Sequence, residues 1–330
     1  MRRLGTAEAD VLVVGGGATG VGVAYDLALR GVRVVLAERH SLASGATGAF
    51  HGLLHSGARY AVIDPAAAAE CQTESLTLRR VAAAFIEDTG GFAVELPGDD
   101  PSYPQHFVNG CAAAGIDCRE VSAAEALAAE PQLNPAIRQA FAVPDAAIDS
   151  VGVVIACARV ATALGATILE HSAIEQFMLD GDRVGGAVLG DGAELRAAVT
   201  VNAAGAWAGR IGALAGCDVP VRPGKGVLVA AAPRLSQRVI SRCRLPGDGD
   251  IAVPAGPLTV FGTSDVPIVD PDQTAATATE RAAIVEAGAA LLPAAGTACV
   301  VLAWAGVRPL FSEGGVTPGD REISRRHYLL

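Results

Sequence analysis

Short apolar runs alternate with stretches whose apolar residues recur at helical spacing, and the alternation is sustained along the 330-residue chain. This rhythm predicts an α/β architecture rather than a sandwich or a bundle. Val11 to Val14 reads as a buried parallel strand, Gly20 to Arg30 as a helix and Val32 to Ala37 as a second strand, together one βαβ unit. The pattern is helical from Thr73 to Glu87 and strand-like from Gly90 to Leu96, with Pro97 to Pro101 a loop by its turn residues. Ser122 followed by Glu125 has capping-box spacing and opens a helix that runs to Glu130 and stops at Pro131. A helix over Val151 to Leu164 precedes strands at Ala166 to Leu169, Arg183 to Leu189 and Val199 to Asn202. Pro220 to Ala232 and Pro254 to Gly262 are strand-like, and a helix from Thr279 to Leu292 leads to a last strand, Ala298 to Ala303.

Composition sharpens this picture. Hydrophobic residues make up 51% of the chain, yet its longest uncharged stretch, Ala287 to Val307, is interrupted by Gly288, Pro293, Gly296 and Gly306, so it reads as core rather than a membrane span. No long apolar region separates Met1-Arg2-Arg3 from Asp10, which argues against a secretory signal and for a cytoplasmic chain, at most peripheral at the inner face of the cell membrane. A net charge of −10 excludes a nucleic-acid binder, since no basic stripe replaces counterions along a phosphate backbone. The seven cysteines contain no C-x-x-C pair and no histidine completes a zinc set; they read as reduced, mostly buried thiols, with no metal site. Asp99, Asp100, Asp248 and Asp250 lie among turn residues and read as solvated, as do Arg79 and Arg80 on a helix face.

The strongest chemical signal is Gly15-Gly16-Gly17-Ala18-Thr19-Gly20, directly after the first strand, with Glu38 closing the second. Gly15 permits the tight turn, Gly17 lets backbone approach a pyrophosphate at the helix N-terminus, and Gly20 allows close packing of helix on strand. Glu38 stands where a carboxylate accepts ribose hydroxyls and disfavours a 2′-phosphate. Strand, glycines, helix and acid agree on a dinucleotide site; they leave FAD and NAD both open. The small-residue loop Ser44-Gly45-Ala46-Thr47-Gly48, after Arg39 and His40, suits an extended flavin.

With the following run, His51-Gly52-Leu53-Leu54-His55-Ser56-Gly57-Ala58-Arg59-Tyr60, the chain resembles the FAD-dependent glycerol-3-phosphate dehydrogenases, and within them the branch that holds the large subunit of the anaerobic bacterial enzyme. Asp145 and Asp149 sit in a stretch similar to the family's P-D-G-x-V-D, with Ala146 and Ala147 breaking its glycine. Val201 to Trp207, Gly224-Lys225-Gly226, Gly262 to Asp265 and Gly306 to Leu310 follow in the family's order. The resemblance implies a Rossmann-like FAD-binding domain of the glutathione-reductase and D-amino-acid-oxidase-like superfamily, with an inserted mixed α+β substrate domain. The first would be discontinuous, from residues 1–75, 146–215 and 300–330; the second would comprise 76–145 and 216–299. By the same resemblance the pattern would continue beyond Leu330 into a Gly-Gly-Lys helix start and a C-terminal domain, which is expected to be missing here.

By the same resemblance FAD would be contacted by Gly15, Gly17, Ala18, Thr19, Gly20, Glu38, Arg39, Ser44, Gly45, Ala46, Thr47, His51, Gly52, Leu53, Ile174, Ala203, Ala204, Gly205 and Trp207. His55 lies in the run implied to face the flavin, where a neutral imidazole is a reasonable base for a substrate hydroxyl; a structural core histidine is the alternative. Arg59, Arg308 and Arg325 read either as guanidinium clamps on a phosphate or as solvated arginines. Arg308, between an apolar strand and Pro309, is the hardest to dismiss and is grouped with His55 as catalytic. Tyr60 either bonds substrate or packs, and Lys225 either holds negative charge near the flavin or is a turn lysine. The implied reaction is oxidation of sn-glycerol 3-phosphate, a phosphorylated polyol, to dihydroxyacetone phosphate, with hydride to FAD and electrons onward to a quinone through membrane-anchoring and electron-transfer subunits. The rival readings are a related flavin oxidoreductase acting on an amino acid or 2-hydroxy acid, and a truncated non-catalytic remnant.

Overall fold

In the computed structural model, which describes residues 7–311, the anticipated βαβ unit is present. β1 (Ala7–Val14) turns through the glycines into α1 (Ala18–Leu29) and returns as β2 (Val34–Ala37), parallel to β1. Both faces of this pair are covered, so its strands are nearly all apolar. Val11, Val13, Val34 and Leu36 pack with α1, while Leu12, Val14, Val35 and Ala37 face the opposite layer.

The chain then leaves this sheet. β3 (Leu53–Leu54) precedes α2 (Pro65–Val81), which runs ahead of the predicted Thr73–Glu87. Asp64 accepts the Ala67 N–H at 3.1 Å and Pro65 occupies the first turn, so cap and proline set the start where the alanine-rich turn hides the periodicity. β4 (Ile86–Glu87), β5 (Gly91–Glu95), α3 (Tyr103–Ala113), β6 (Arg119–Ser122), α4 (Ala123–Ala129), β7 (Gln139–Val143) and β8 (Ala146–Ile148) follow. The capping box of Ser122 and Glu125 opens α4.

α5 (Ser150–Ala163), β9 (Thr167–Leu169), β10 (Ile174–Asp180), β11 (Arg183–Leu189) and β12 (Glu194–Asn202) complete a six-stranded sheet of order β10-β11-β12-β1-β2-β9. β10, which the pattern does not reveal, is an edge strand with Phe177 as its buried residue. Beyond α6 (Ala208–Leu214) come β13 (Val221–Ala232), β14 (Val239–Arg242), β15 (Ile251–Ala255), β16 (Leu258–Gly262), β17 (Val266–Pro267), α7 (Ala278–Leu291) and β18 (Cys299–Phe311). These join β5, β7 and β6 in a nine-stranded sheet, with α4 and α7 against one face and α3 against the other. The single strand predicted over 254–262 is the β15–β16 hairpin, turned at Gly256, whose φ is +53°.

Two expectations need correction. The segment from 300, assigned to the nucleotide-binding domain, forms β18, and β18 pairs with β13 along its whole length in the nine-stranded sheet. Its preceding helix α7 already packs there through Ile284 and Leu291, which leaves the strand beside β13. The stretch Ala287 to Val307 is not core throughout, because Val300, Val301 and Leu302 are exposed on β18. All seven cysteines are free; Cys217 and Cys299 are exposed, whereas the other five are buried or half-buried.

Candidate active site

A groove of about 590 Å³ opens where β1 meets α1. Gly15 has φ +111°, and a Cβ there would run into the Ala203 carbonyl; a Cβ on Gly20 would collide with the Gly15 carbonyl. Gly17 differs, since its Cβ would meet only Thr47 Oγ1, at 3.1 Å, and it lines the groove itself. Two glycines therefore serve the fold and one keeps space open. Thr47 Oγ1 also accepts the Ala18 N–H at 2.9 Å, joining the small-residue loop to the start of α1. Glu38 accepts the N–H of Gly16 at 2.6 Å and of His40 at 2.8 Å, which fixes its carboxylate beside the glycine turn.

Ala18, Thr19, Arg39, Ser44 to Thr47, Ile174 and Ala203 to Trp207 line the same groove, so most of the residues expected around a cofactor are brought together. Gly20, His51, Gly52 and Leu53 do not line it. Gly52 turns the chain at φ +82° and its carbonyl accepts the Ile148 N–H, while Leu53 is core in β3. The groove's rim carries groups the sequence reading missed. Arg39 lies 4.2 Å from the Trp207 ring centroid, and Asp272 accepts from Arg39 at 3.2 Å, Trp207 Nε1 at 2.8 Å and Arg210 at 2.6 Å. These bonds, that of Arg210 foremost, hold the Asp272 carboxyl down at about 2. Asp270 takes the other arm of Arg210 at 2.6 Å. In sequence Asp270 and Asp272 look like any solvated turn acids.

A second cavity, of about 460 Å³, meets the groove at Ala46. Pro309 lines the groove while its neighbours Arg308 and Leu310 line the cavity, so β18 forms the partition. His51, His55, Arg59, Tyr60 and Asp248 complete much of the cavity wall. The imidazoles of His51 and His55 lie 5.9 Å apart, and His55 sits 5.4 Å from the Tyr60 ring. His51 Nδ1 accepts the Leu53 N–H at 3.2 Å, which leaves the ring proton on Nε2. Burial, then His55, Arg59 and Arg308, push the His51 pKa well below its ordinary 6.5, so this imidazole is neutral at physiological pH.

The loop that carries these side chains is pinned from below. Asp145 Oδ1 accepts both the N–H of Ser56 at 2.8 Å and its hydroxyl at 2.7 Å. Gly57, at φ +98°, then turns against the Ala68 carbonyl. Burial raises the Asp145 pKa against the opposing pull of the Ser56 bonds.

The two arginines arrive from different elements. Arg59 Nη2 donates to the Gly247 carbonyl at 3.2 Å, and burial lowers its pKa without discharging a guanidinium. Arg308 donates to Ser264 O at 3.1 Å and Thr263 Oγ1 at 3.0 Å, and stands 3.3 Å from Asp265. A Cβ on Gly226 would lie 2.9 Å and 3.0 Å from the two Arg308 nitrogens, and one on Gly224 would press on Asp265 at 2.7 Å. The Gly-Lys-Gly motif thus makes room for the guanidinium across the β13–β18 pair. Lys225, of opposite parity, lines neither cavity; it pairs with Glu280 at 2.7 Å and donates to Ala275 O, tying β13 to the start of α7. Arg325 lies outside the described residues.

The acids read as solvated divide. Asp100 is exposed, but Asp99 and Asp250 are buried, the first bonded by Arg242 and the second by Arg244 at 2.6 Å. Arg80 is exposed, while Arg79 is half-buried against Asp88 and the Pro144 carbonyl. Among the described residues no cluster of three or more His, Cys, Asp or Glu is placed to hold a metal ion.

The groove fits a dinucleotide: an open glycine at a helix N-terminus, a carboxylate at the end of the second strand, a loop of small residues and an aromatic rim. Residues 10–330 match the model of the family described as FAD dependent oxidoreductase. The chain belongs to that family. The cofactor of this FAD dependent oxidoreductase is FAD. It is 40% identical to a subunit of anaerobic glycerol-3-phosphate dehydrogenase from Haloferax volcanii over 97% of this chain and 57% of that protein. It is 39% identical to a subunit of anaerobic glycerol-3-phosphate dehydrogenase from Escherichia coli K12, over 100% of this chain and 62% of that protein. The chain therefore spans about 57% to 62% of the length of these relatives. Among solved structures it resembles glycine oxidase from Geobacillus kaustophilus, with TM-score 0.80 and 25% identity over 97% of this chain and 88% of that one. Among the described residues no helix is long and apolar enough to cross a membrane.

Proposed function

We propose that this chain oxidises sn-glycerol 3-phosphate to dihydroxyacetone phosphate. The observation that carries the reading is that Arg59 and Arg308 share one cavity with His55, against the groove suited to FAD. Two guanidinium groups beside one imidazole suit a small phosphorylated alcohol. The names of the relatives at 39% and 40% identity support the same substrate.

Gly17, Ala18, Thr19 and the loop Ser44 to Thr47 would hold the pyrophosphate, Glu38 the ribose hydroxyls, and Arg39, Ile174 and Ala203 to Trp207 the remainder of the dinucleotide. FAD, when bound, supplies the hydride acceptor. Arg59 and Arg308 grip the phosphate, and Tyr60 adds a hydroxyl donor. Binding energy from this remote group orients C2 of the polyol within the cavity. His55 takes the C2 hydroxyl proton. His51, neutral and bonded through Nδ1, gives the cavity a wall that adds no charge. By resemblance Arg325 joins the phosphate contacts, and electrons pass to a quinone through companion subunits that hold the chain at the inner face of the membrane. The designation of the relatives as subunits supports companion chains.

The test is spectroscopic. Purified protein loaded with FAD should bleach when glycerol 3-phosphate is added without oxygen, with dihydroxyacetone phosphate formed in equal amount. A loaded protein that ignores this compound but bleaches with glycine or a 2-hydroxy acid overturns the substrate. One that takes up no FAD is the remnant.

A further inference from the structure

Among the described residues Asp250 is the carboxylate nearest Arg59, yet the two do not form a close pair. Arg59 Nη2 stands 3.9 Å from Asp250 Oδ2, beyond hydrogen-bond distance. The carboxylate is occupied from other directions: Arg244 Nη2 lies 2.6 Å from Oδ1, Arg244 Nε lies 3.3 Å from Oδ2, and the Gly247 N–H donates to Oδ2 at 2.6 Å. That two-point bond is the strong form of an arginine–carboxylate pair. A second buried acid, Asp99, is taken by Arg242 and has Arg244 at 4.0 Å. Among these five groups the two acids and the two arginines Arg242 and Arg244 cancel, which leaves the positive charge of Arg59 at the cavity wall. Neither Arg244 nor Asp250 lines the cavity; Arg59 does.

We infer that Arg244 is a positioning residue for the anion site: by saturating Asp250 it keeps the Arg59 guanidinium available to the phosphate of the substrate. The inference rests on the proposed glycerol 3-phosphate chemistry for its substrate and on the distances above for its logic. Without Arg244, the buried Asp250 keeps, among the described residues, only the Gly247 N–H and draws in Arg59, 3.9 Å away, because an unpaired buried carboxylate is costly. The opposite assignment, in which Asp250 itself anchors Arg59, predicts the reverse response at Asp250.

Three variants decide between them: Arg244→Met, Asp250→Asn and the double substitution. Each is loaded with FAD and assayed for KM and kcat with glycerol 3-phosphate, and each is titrated with inorganic phosphate by calorimetry. R244M should raise KM and the phosphate Kd about tenfold or more while kcat stays within about threefold. D250N should leave both constants at or below those of the unaltered protein. The double variant should return them to within about threefold, since no carboxylate remains to capture Arg59. The inference falls if D250N weakens phosphate as much as R244M does, or if the double variant is no better than R244M. It also falls if R244M loses kcat and flavin with unchanged KM. Should R244M fold poorly, Arg244→Lys provides a one-point charge and should give intermediate constants; constants equal to those of the unaltered protein would count against the two-point bond. Failure of the unaltered enzyme to turn over glycerol 3-phosphate would sink the proposed function alone, because the phosphate titrations require no turnover.

Discussion

Gly15, Gly17 and Gly20 occupy one turn and serve it differently. Alanine at Gly20 would force its methyl into the Gly15 carbonyl, so Gly20→Ala should destabilise the chain by about 3 kcal/mol or more, read by urea unfolding. A Cβ at Gly17 meets only Thr47 Oγ1, so Gly17→Val should leave the unfolding midpoint nearly unchanged while flavin retention is lost, read from visible absorbance after gel filtration. Arg308→Ala should do the converse: flavin content near that of the unaltered protein, with kcat/KM for glycerol 3-phosphate lower by about a hundredfold or more. His51 has its own signature in pH. Its pKa in the fold lies below the unfolded 6.5, so the unfolded chain binds the extra proton as pH falls. This histidine's contribution is fully favourable above that value and is lost below it, by up to about 1.4 kcal/mol per pH unit. The urea midpoint should drop between pH 7 and pH 5.5, and should drop less in His51→Asn. The glycine motif and Glu38 were readable because a tight turn constrains residue type within a few positions. Asp250 was not readable, since its Gly- and Pro-rich surroundings look like a solvated turn and nothing in the pattern shows that Arg244 and the distant Arg59 close over it.

At the scale of elements the same division holds between local and distant causes. The Ser122–Glu125 box was visible because cap and partner are three residues apart, and α7 carries an equivalent box at Thr277 and Glu280. There the acid serves twice, since Glu280 also receives Lys225, and the Lys225 bond is what chiefly holds its pKa at about 2. Thr277→Ala should therefore cost about 1 kcal/mol in urea unfolding, the usual worth of such a cap, without altering flavin content. Strand β10 escaped notice because an edge strand with one buried side chain lacks the apolar run that betrays β2. The placement of β18 escaped because an apolar strand does not name its partner; it pairs with β13, Gly224 opposite Arg308, in the sheet against which α7 packs.

Across the whole molecule, the two large sheets meet around the groove and the cavity, and the fastening is polar on one side. Asp270 and Asp272, in the connection from β17 to α7, reach Arg39, Trp207 and Arg210 of the nucleotide-binding half. These ion pairs are about half exposed, so they are screened by salt and individually weak, but Asp272 joins two of them to the Trp207 hydrogen bond at the groove's rim. Asp272→Ala should speed flavin release about tenfold at low ionic strength, and the difference should shrink in 1 M salt, where the Debye length is about 3 Å. Resemblance marked Arg39 and Trp207, but nothing in the sequence marks Arg210, Asp270 and Asp272, because their meeting depends on chain segments some sixty residues apart.

The chain has two tryptophans, and both stand at this junction: Trp207 on the groove's rim and Trp304 with its indole N–H on the carbonyl of Ala49, which walls the adjoining cavity. Trp207 lines the groove that would hold the yellow coenzyme, and Trp304 is bonded to the wall of the adjoining cavity, so bound coenzyme would quench their emission by excitation transfer. Ultraviolet-excited emission should thus serve as a built-in occupancy gauge, dim in loaded protein and brightening as the coenzyme departs, with no label attached.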